Sequence, residues 1–194
     1  LKMNLSKLTL ISEKVVFLGR SISKDGITLD PNRTRALIEM DQFETLADVA
    51  SLLYAAQWSS HWIPGFEAIV APIREVLNEK LKGTKRTTAA CRRIKISKDF
   101  WGEKQHRAVE ILKRALINAI PLDFYILGNI IIVFTDASET HWGGVILQCL
   151  RSEAHLPIEE RKLRPLAWYS GSFRGSQTNW TIPEKEAFAI KQTF

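Results

Sequence analysis

The sequence predicts an α+β protein: a β-hairpin, a small helical unit, then an antiparallel three-strand meander closed by a helix. Three observations carry this. Runs rich in Val, Ile and Phe occur near residues 15–29 and again from Asn129 onward. Between them the apolar residues recur at helical spacing. Asp-Gly and Pro-Gly pairs punctuate the blocks.

Residues 15–29, VVFLGRSISKDGITL, place two strand-like runs around Lys24-Asp25-Gly26. Asp-Gly is a strong short-range hairpin signal because its turn needs positive φ. Asp30-Pro31 then supplies an N-cap and a proline for the first helical position, opening a helix to about Met40. Thr45 and Asp48 form a capping-box pattern ahead of Val49, Leu52, Leu53 and Ala56. Pro64-Gly65 ends that unit, and a third helix is expected from Pro72, with Ile73, Val76, Leu77 and Leu81 on one face. A fourth, Glu103 to Asn118, carries Ala108, Ile111, Leu112, Ala115 and Leu116 on its apolar side.

From Asn129 the period changes. NIIIVFTDAS reads as a buried strand ending on Asp136, Gly143 to Leu147 as its antiparallel return, and Pro165 to Phe173 as a third strand after the charged loop Arg151–Arg164. A helix from Pro183 to Phe194 follows, with Ala187, Ile190 and Phe194 as its expected apolar stripe. The chain starts on Leu1 and ends inside a helical pattern, so it reads as a segment of something longer.

Composition narrows the class. At 194 residues, with 45% hydrophobic and 25% charged, the chain has ordinary globular usage, which excludes collagenous or low-complexity architecture. Its longest apolar stretch, Tyr125 to Phe134, is broken by Gly128 and Asn129 and falls short of the roughly 20 residues a membrane helix needs. The opening LKMNLSKLTLIS lacks the apolar core of a secretory signal. Cys91 and Cys149 stand far apart without zinc or disulfide spacing. The expected address is intracellular, in cytoplasm or nucleus, with no membrane partner.

The net charge of +6 is uneven. Residues 1–129 hold 20 Lys and Arg against 14 Asp and Glu, whereas residues 130–194 hold 7 of each. Lys80 to Lys98 contains eight cations and no acid. Such a run is either a solvated linker or a phosphate-binding patch, in which Lys82, Lys85, Arg86, Arg92 and Arg93 are the candidate nucleic-acid contacts.

Two sets of acids bear on chemistry. Asp136 at a strand end is either a turn former or a carboxylate aimed into a site. Glu184 and Glu186, at the start of the last helix, complement its dipole; they flank the expected apolar stripe on opposite sides, so spacing does not choose between them. A carboxylate on the first strand and another on the helix would suit a nuclease holding Mg²⁺, a hard cation that takes oxygen ligands. Tyr54, Trp58, Trp62 and Phe66 fall at near-helical spacing; core packing is the expectation for Tyr54 and Trp58, with base stacking the alternative. The four histidines have no metal-ligand spacing.

The blocks VVFLGRSISKDGITLDP, WIPGFEAIVAPIREVL, AVEILKRALINAIPL, VFTDASETHWGGVILQ, RPLAWYSGSF and NWTIPEKEAFAI, in that order, resemble the Pol polyprotein of gypsy-type LTR retrotransposons. The resemblance implies a reverse transcriptase segment. Residues 1–29 would be the end of the palm, with Phe17, Leu18 and Gly19 in its nucleic-acid-binding primer grip. Residues 30–81 would be the helical thumb, 82–128 a basic linker and tether helix, and 129–194 a partial RNase H-like domain. Asp136 would be that domain's first catalytic, metal-binding aspartate and Glu186 its helix glutamate, with Mg²⁺ as cofactor and Mn²⁺ as the alternative. The other metal-binding acids would lie outside this chain, so the chain alone is expected to be inactive. Its implied partners are RNA/DNA hybrid or single-stranded nucleic acid and the rest of the polyprotein. Ser60-His61 and Ser170-Gly171 stand where such elements usually carry cations. A non-catalytic nucleic-acid-binding module is the alternative function.

Overall fold

The computed structural model describes residues 11–85 and 87–194; the first ten residues and Arg86 lie outside it. The architecture is α+β, with two three-stranded antiparallel sheets and a helical unit between them.

The first sheet is a meander, β1 (Lys14–Phe17), β2 (Arg20–Ser23) and β3 (Gly26–Leu29). The expected hairpin at Lys24-Asp25 is present, but a second turn at Leu18-Gly19 splits the first run in two. Both residues of that turn have positive φ, 49° and 75°. Left-handed backbone at both central positions matches the right-handed twist of flanking strands. Gly26 is required for a different reason: a Cβ there would come within 2.5 Å of the Leu122 carbonyl oxygen. That carbonyl accepts the Ile27 N–H at 2.7 Å, and the Leu122 N–H returns a bond at 2.9 Å, so the meander is stitched to a distant strap.

The helical unit comprises α1 (Pro31–Ile38), α2 (Leu46–Gln57), α3 (Phe66–Lys80), α4 (Thr88–Arg92) and α5 (Glu103–Ile117). Asp30 caps α1 by accepting the Asn32 N–H at 3.0 Å. The Asp48 carboxylate accepts from the Thr45 N–H and hydroxyl at 2.8 and 2.9 Å, fixing the start of α2. Helix α3 starts six residues before the expected Pro72. Gly65, at φ 63°, lets the chain turn directly into the helix, and Phe66, Val70, Ile73 and Leu77 form its buried face. Pro72 is therefore interior, and it leaves the Ala68 carbonyl without its usual donor.

The basic segment expected as a linker is folded onto this unit. Leu46 N–H donates to the Ile94 carbonyl at 2.9 Å and Ile96 N–H to the Glu44 carbonyl at 2.9 Å, while Cys91 and Trp101 are buried. The apolar residues interspersed among the cations supply the burial that a purely charged run lacks. On α5 the buried face is Ala108, Val109, Leu112 and Leu116; Ile111 lies half-exposed on a groove shared with Ala68, Ile69 and Pro72. The core joins Leu46, Val49, Leu52, Phe66, Val70, Ile73 and Leu112, so α2, α3 and α5 bury one another.

The second sheet follows the expected order: β4 (Ile130–Ala137), β5 (His141–Cys149) and β6 (Arg164–Ser172), then α6 (Ile182–Thr193). The buried side of α6 is Lys185, Ala189 and Thr193, whereas Ala187, Ile190 and Phe194 are exposed. The cause is the sheet beneath it. A Cβ on Gly144 would lie 2.1 Å from Thr193 Oγ1, so the bare glycine admits a close helix approach that only small side chains fit. Lys185 is tolerated because its Nζ donates to the carbonyls of Glu139 and Thr178 at 2.8 and 3.1 Å.

A strap, residues 118–129, links the two halves. Buried Gln148 accepts the Ile126 N–H at 3.1 Å and donates to Asp123 at 2.7 Å, and Asp123 pairs with Arg164 at 3.0 Å.

Candidate functional site

The candidate residues lie on three features: an exposed turn, the outer face of α2 with the basic segment, and carboxylates at one end of the second sheet.

Phe17 and Leu18 are exposed at the tip of the β1–β2 turn, beside Gly19. A left-handed leucine costs roughly 1–2 kcal/mol relative to ordinary backbone. Its side chain is exposed and gains nothing from burial, so the tight hairpin turn alone holds it in that conformation.

Tyr54 and Trp58, expected in the core, are 58% and 39% exposed, while Trp62 and Phe66 are buried. Residues 54 and 58 are one helical turn apart on the outer side of α2, and Leu52, Leu53 and Ala56 already fill its inner side. The candidate cations of the basic segment that are described, Lys82, Lys85, Arg92 and Arg93, are all exposed, as are Lys95 and Lys98. Arg92 contributes, after the Thr45 and Glu44 hydrogen bonds, to holding the Asp48 carboxyl below its usual value. Lys80 is engaged, 3.5 Å from Glu79 and 4.6 Å from the centre of the Phe100 ring.

Asp136 pairs with Gly143 and Thr135 with Gly144. Directly opposed residues share a face, and successive residues alternate. Because Gly144 faces Thr193, Thr135 points toward α6 and Asp136 toward the other side, into a small hollow with Pro64, Gly65, Gly143 and Trp168. Asp136 remains exposed there. Glu186 is half-buried in the first turns of α6, at the end where Lys185 reaches the Glu139 carbonyl. The two acids thus stand at the same end of the sheet, on opposite faces of its edge strand. Glu184 is otherwise occupied: its carboxylate accepts the Thr181 N–H and hydroxyl at 2.8 and 2.7 Å, which lowers its pKa. Carboxylate oxygens suit a hard divalent cation, yet among the described residues no group of three or more His, Cys, Asp and Glu could hold a metal ion.

One polar joint had no signal in the sequence. Glu67, in the first turn of α3, is buried against β6. Its backbone N–H donates to Ser170 Oγ at 2.9 Å, and its carboxylate accepts the Ser172 hydroxyl at 3.0 Å. Arg74 adds contacts of 2.7 and 2.9 Å, and Arg174 approaches to 3.7 Å. His61 Nδ1 lies 3.1 Å from the Trp168 carbonyl. Together these fix the helical unit on the face of the sheet that carries Asp136. A first-turn glutamate has a sufficient reading in the helix dipole, so only the tertiary arrangement reveals the joint.

Residues 101–194 match the family model described as the RNase H-like domain found in reverse transcriptase. The chain is 25% identical over 190 residues to the retrovirus-related Pol polyprotein from transposon opus of Drosophila melanogaster, covering 98% of this chain and 18% of that protein. It is 22% identical over 187 residues to the transposon Tf2-3 polyprotein of Schizosaccharomyces pombe, covering 96% of this chain and 12% of that one. The chain therefore spans less than a fifth of the curated relatives it matches. Among solved structures it is similar to the foamy viral protease-reverse transcriptase in complex with RNA/DNA hybrid, with a TM-score of 0.72 and 20% identity over 97% of this chain and 22% of that one. The same viral protein in complex with dsDNA gives a TM-score of 0.73, also at 20% identity, over 97% of this chain and 34% of the other. These likenesses establish the fold. Among the described residues, no helix is long and apolar enough to cross a membrane.

Proposed function

We propose that this chain is the part of a retroelement Pol polyprotein in which the thumb of the reverse transcriptase meets the RNase H-like domain. The first meander is the end of the palm, with Phe17, Leu18 and Gly19 as its grip on nucleic acid. Residues 30–81 form the thumb, with the basic segment and α5 packed onto it, and the partial RNase H-like domain begins at Asn129. The parent enzyme carries out RNA-directed DNA synthesis and hydrolyses the RNA strand of an RNA/DNA hybrid inside the cell.

The observation that carries this reading is co-linear: one likeness spans 97% of the chain, from exposed turn to final helix, with a reverse transcriptase seen on RNA/DNA hybrid. In the working enzyme Asp136 and Glu186 would supply two of the carboxylates that hold a divalent cation, Mg²⁺ or alternatively Mn²⁺. That cation, when bound, activates a water and stabilises the departing oxygen of the cleaved phosphodiester. Asp136 would contribute from the end of β4 and Glu186 from the first turns of α6. Glu184 serves only as the cap that sets the start of α6. Lys82, Lys85, Arg86, Arg92 and Arg93 neutralise backbone phosphates, and the helix shape and 2′-hydroxyls of the hybrid supply recognition.

The placement of Asp136 on the face of β4 away from α6 favours a second reading for the isolated chain, a nucleic-acid-binding module without catalysis. Both readings are tested together by titrating a labelled RNA/DNA hybrid across salt and then adding Mg²⁺ or Mn²⁺. Binding that falls steeply with salt is expected; a flat response refutes phosphate contacts. Cleavage abolished by Asp136→Asn would assign catalysis to this chain alone, whereas the expected result is binding without cleavage.

A further inference from the structure

The β1–β2 turn sits on a cluster of cations that the reading above leaves unused. Arg20, the first residue of β2, has its guanidinium carbon 5.5 Å from the centre of the Trp58 ring and 5.2 Å from that of Trp62. Arg33, in the first turn of α1, lies 5.4 Å from the same Trp58 ring. Two like charges thus share one indole. The arrangement is built: Trp62 is buried and donates from Nε1 to the Ile27 carbonyl at 2.9 Å, and the Asp30 N–H bonds the Gly19 carbonyl at 3.2 Å. Gly19 is bare where it must be, since a Cβ there would meet an Arg33 terminal nitrogen at 3.1 Å and Trp58 Nε1 at 3.4 Å.

The charges are uncompensated. Among the described residues neither arginine has a carboxylate within ion-pair distance, and Arg20 Nε is shielded from solvent without a hydrogen-bond partner. Asp30, the acid closest to Arg33 in sequence, accepts the Asn32 N–H with its side chain rather than pairing with either arginine. Arg33 also stands at the positive end of α1, whose first turn holds no acid. Two cations placed against one exposed ring, near a helix N-terminus, make the local potential positive and favour an anion. Guanidinium forks match the geometry of a phosphate oxyanion.

We propose that Arg20 and Arg33, ordered by Trp58, form a seat for one backbone phosphate of the bound nucleic acid beside the Leu18–Gly19 turn. The inference rests on the nucleic-acid-binding reading and names a contact within it. Tyr54, one turn before Trp58, is exposed as well and offers a ring for stacking against a neighbouring sugar or base.

The test is the salt dependence of RNA/DNA hybrid binding to the full chain, read by fluorescence anisotropy. Each phosphate contact contributes about 0.9 to the slope of log affinity against log salt. Arg20→Met with Arg33→Met should flatten the slope by about one and weaken binding roughly eightfold at 0.1 M salt. Arg33→Met alone removes an exposed side chain, so it should fold normally and show part of that loss; Arg33→Lys should keep the slope. Lys104→Met, which removes a cation paired with Glu75 instead, should leave it unchanged. If wild type fails to bind hybrid, the reading under Proposed function falls. If wild type binds and the folded arginine variants keep its slope and affinity, the phosphate seat alone is overturned. Inorganic phosphate at matched ionic strength should compete equally poorly with hybrid on wild type and double variant; selective competition on wild type would make this a free-anion site and overturn the backbone assignment.

Discussion

Removing the Glu67 carboxylate should loosen the helical unit from the second sheet. That side chain is 6% exposed and Arg74 21%. Arg74 Nε lies 2.7 Å from Oε1 as an ionic contact, and Arg74 NH2 donates to Oε2 at 2.9 Å; the Ser172 hydroxyl donates from across the joint. Truncating one partner of a buried ion pair costs about 3–5 kcal/mol, because the other charge is left without compensation. Here Arg74 keeps some solvent and a 2.8 Å bond to Gln57 Oε1, so Glu67→Ala should cost about 2–3 kcal/mol. For a domain of this size that lowers Tm by roughly 5–10 °C. Urea unfolding of wild type, Glu67→Ala, Ser172→Ala and the double variant closes a thermodynamic cycle. A coupling of about 0.5–1.5 kcal/mol between Glu67 and Ser172 is expected, since their hydrogen bond spans the two halves. Fluorescence and circular dichroism transitions that coincide in wild type should separate in Glu67→Ala. A loss below about 0.5 kcal/mol, within the range of ordinary surface substitutions, would refute the reasoning.

Two further outcomes follow from local geometry. Gly144→Ala puts a methyl group against Thr193 and should destabilise by at least about 1–3 kcal/mol; Thr193→Gly in the same chain should recover part of that loss in thermal melts, and no recovery would mean the clash lies elsewhere. Asp48 and Glu184 both have lowered pKa values, principally from the backbone N–H groups of Thr45 and Thr181. A carboxylate held lower in the folded state stabilises it above the unfolded pKa and loses that contribution as pH falls through the folded one. Stability should therefore drop on the acid side of the usual carboxylate range, and Thr45→Ala with Thr181→Ala, which removes the two hydroxyl donors, should shallow that drop in urea midpoints measured against pH. An unchanged slope would show that these caps do not set it.

What the sequence disclosed depended on whether a local rule had a rival. Thr45 with Asp48 and Asp30 with Pro31 are short-range patterns with a backbone partner within four residues, and each formed as expected; the apolar run into Asp136 formed its strand through partners on β5, and as the outer strand it is partly exposed rather than buried. Pro72 failed as a start signal because the helix had an alternative, Gly65, whose left-handed conformation opened it a turn and a half earlier. The face of α6 was misjudged for a tertiary reason. Counting apolar residues favours Ile190 and Phe194, yet the surface beneath is flattened by Gly144, and the closest approach selects Ala189 and Thr193. The same logic governs the candidate site. Whether Asp136 faces α6 or the helical unit is decided by one step of strand register, which composition does not encode. Trp58 shows the functional consequence: helical spacing alone admits it to the core, but Leu52, Leu53 and Ala56 occupy that side first, and the displaced indole becomes the platform on which Arg20 and Arg33 meet. An aromatic surplus to packing is thus explained by its contacts with the two arginines rather than by burial.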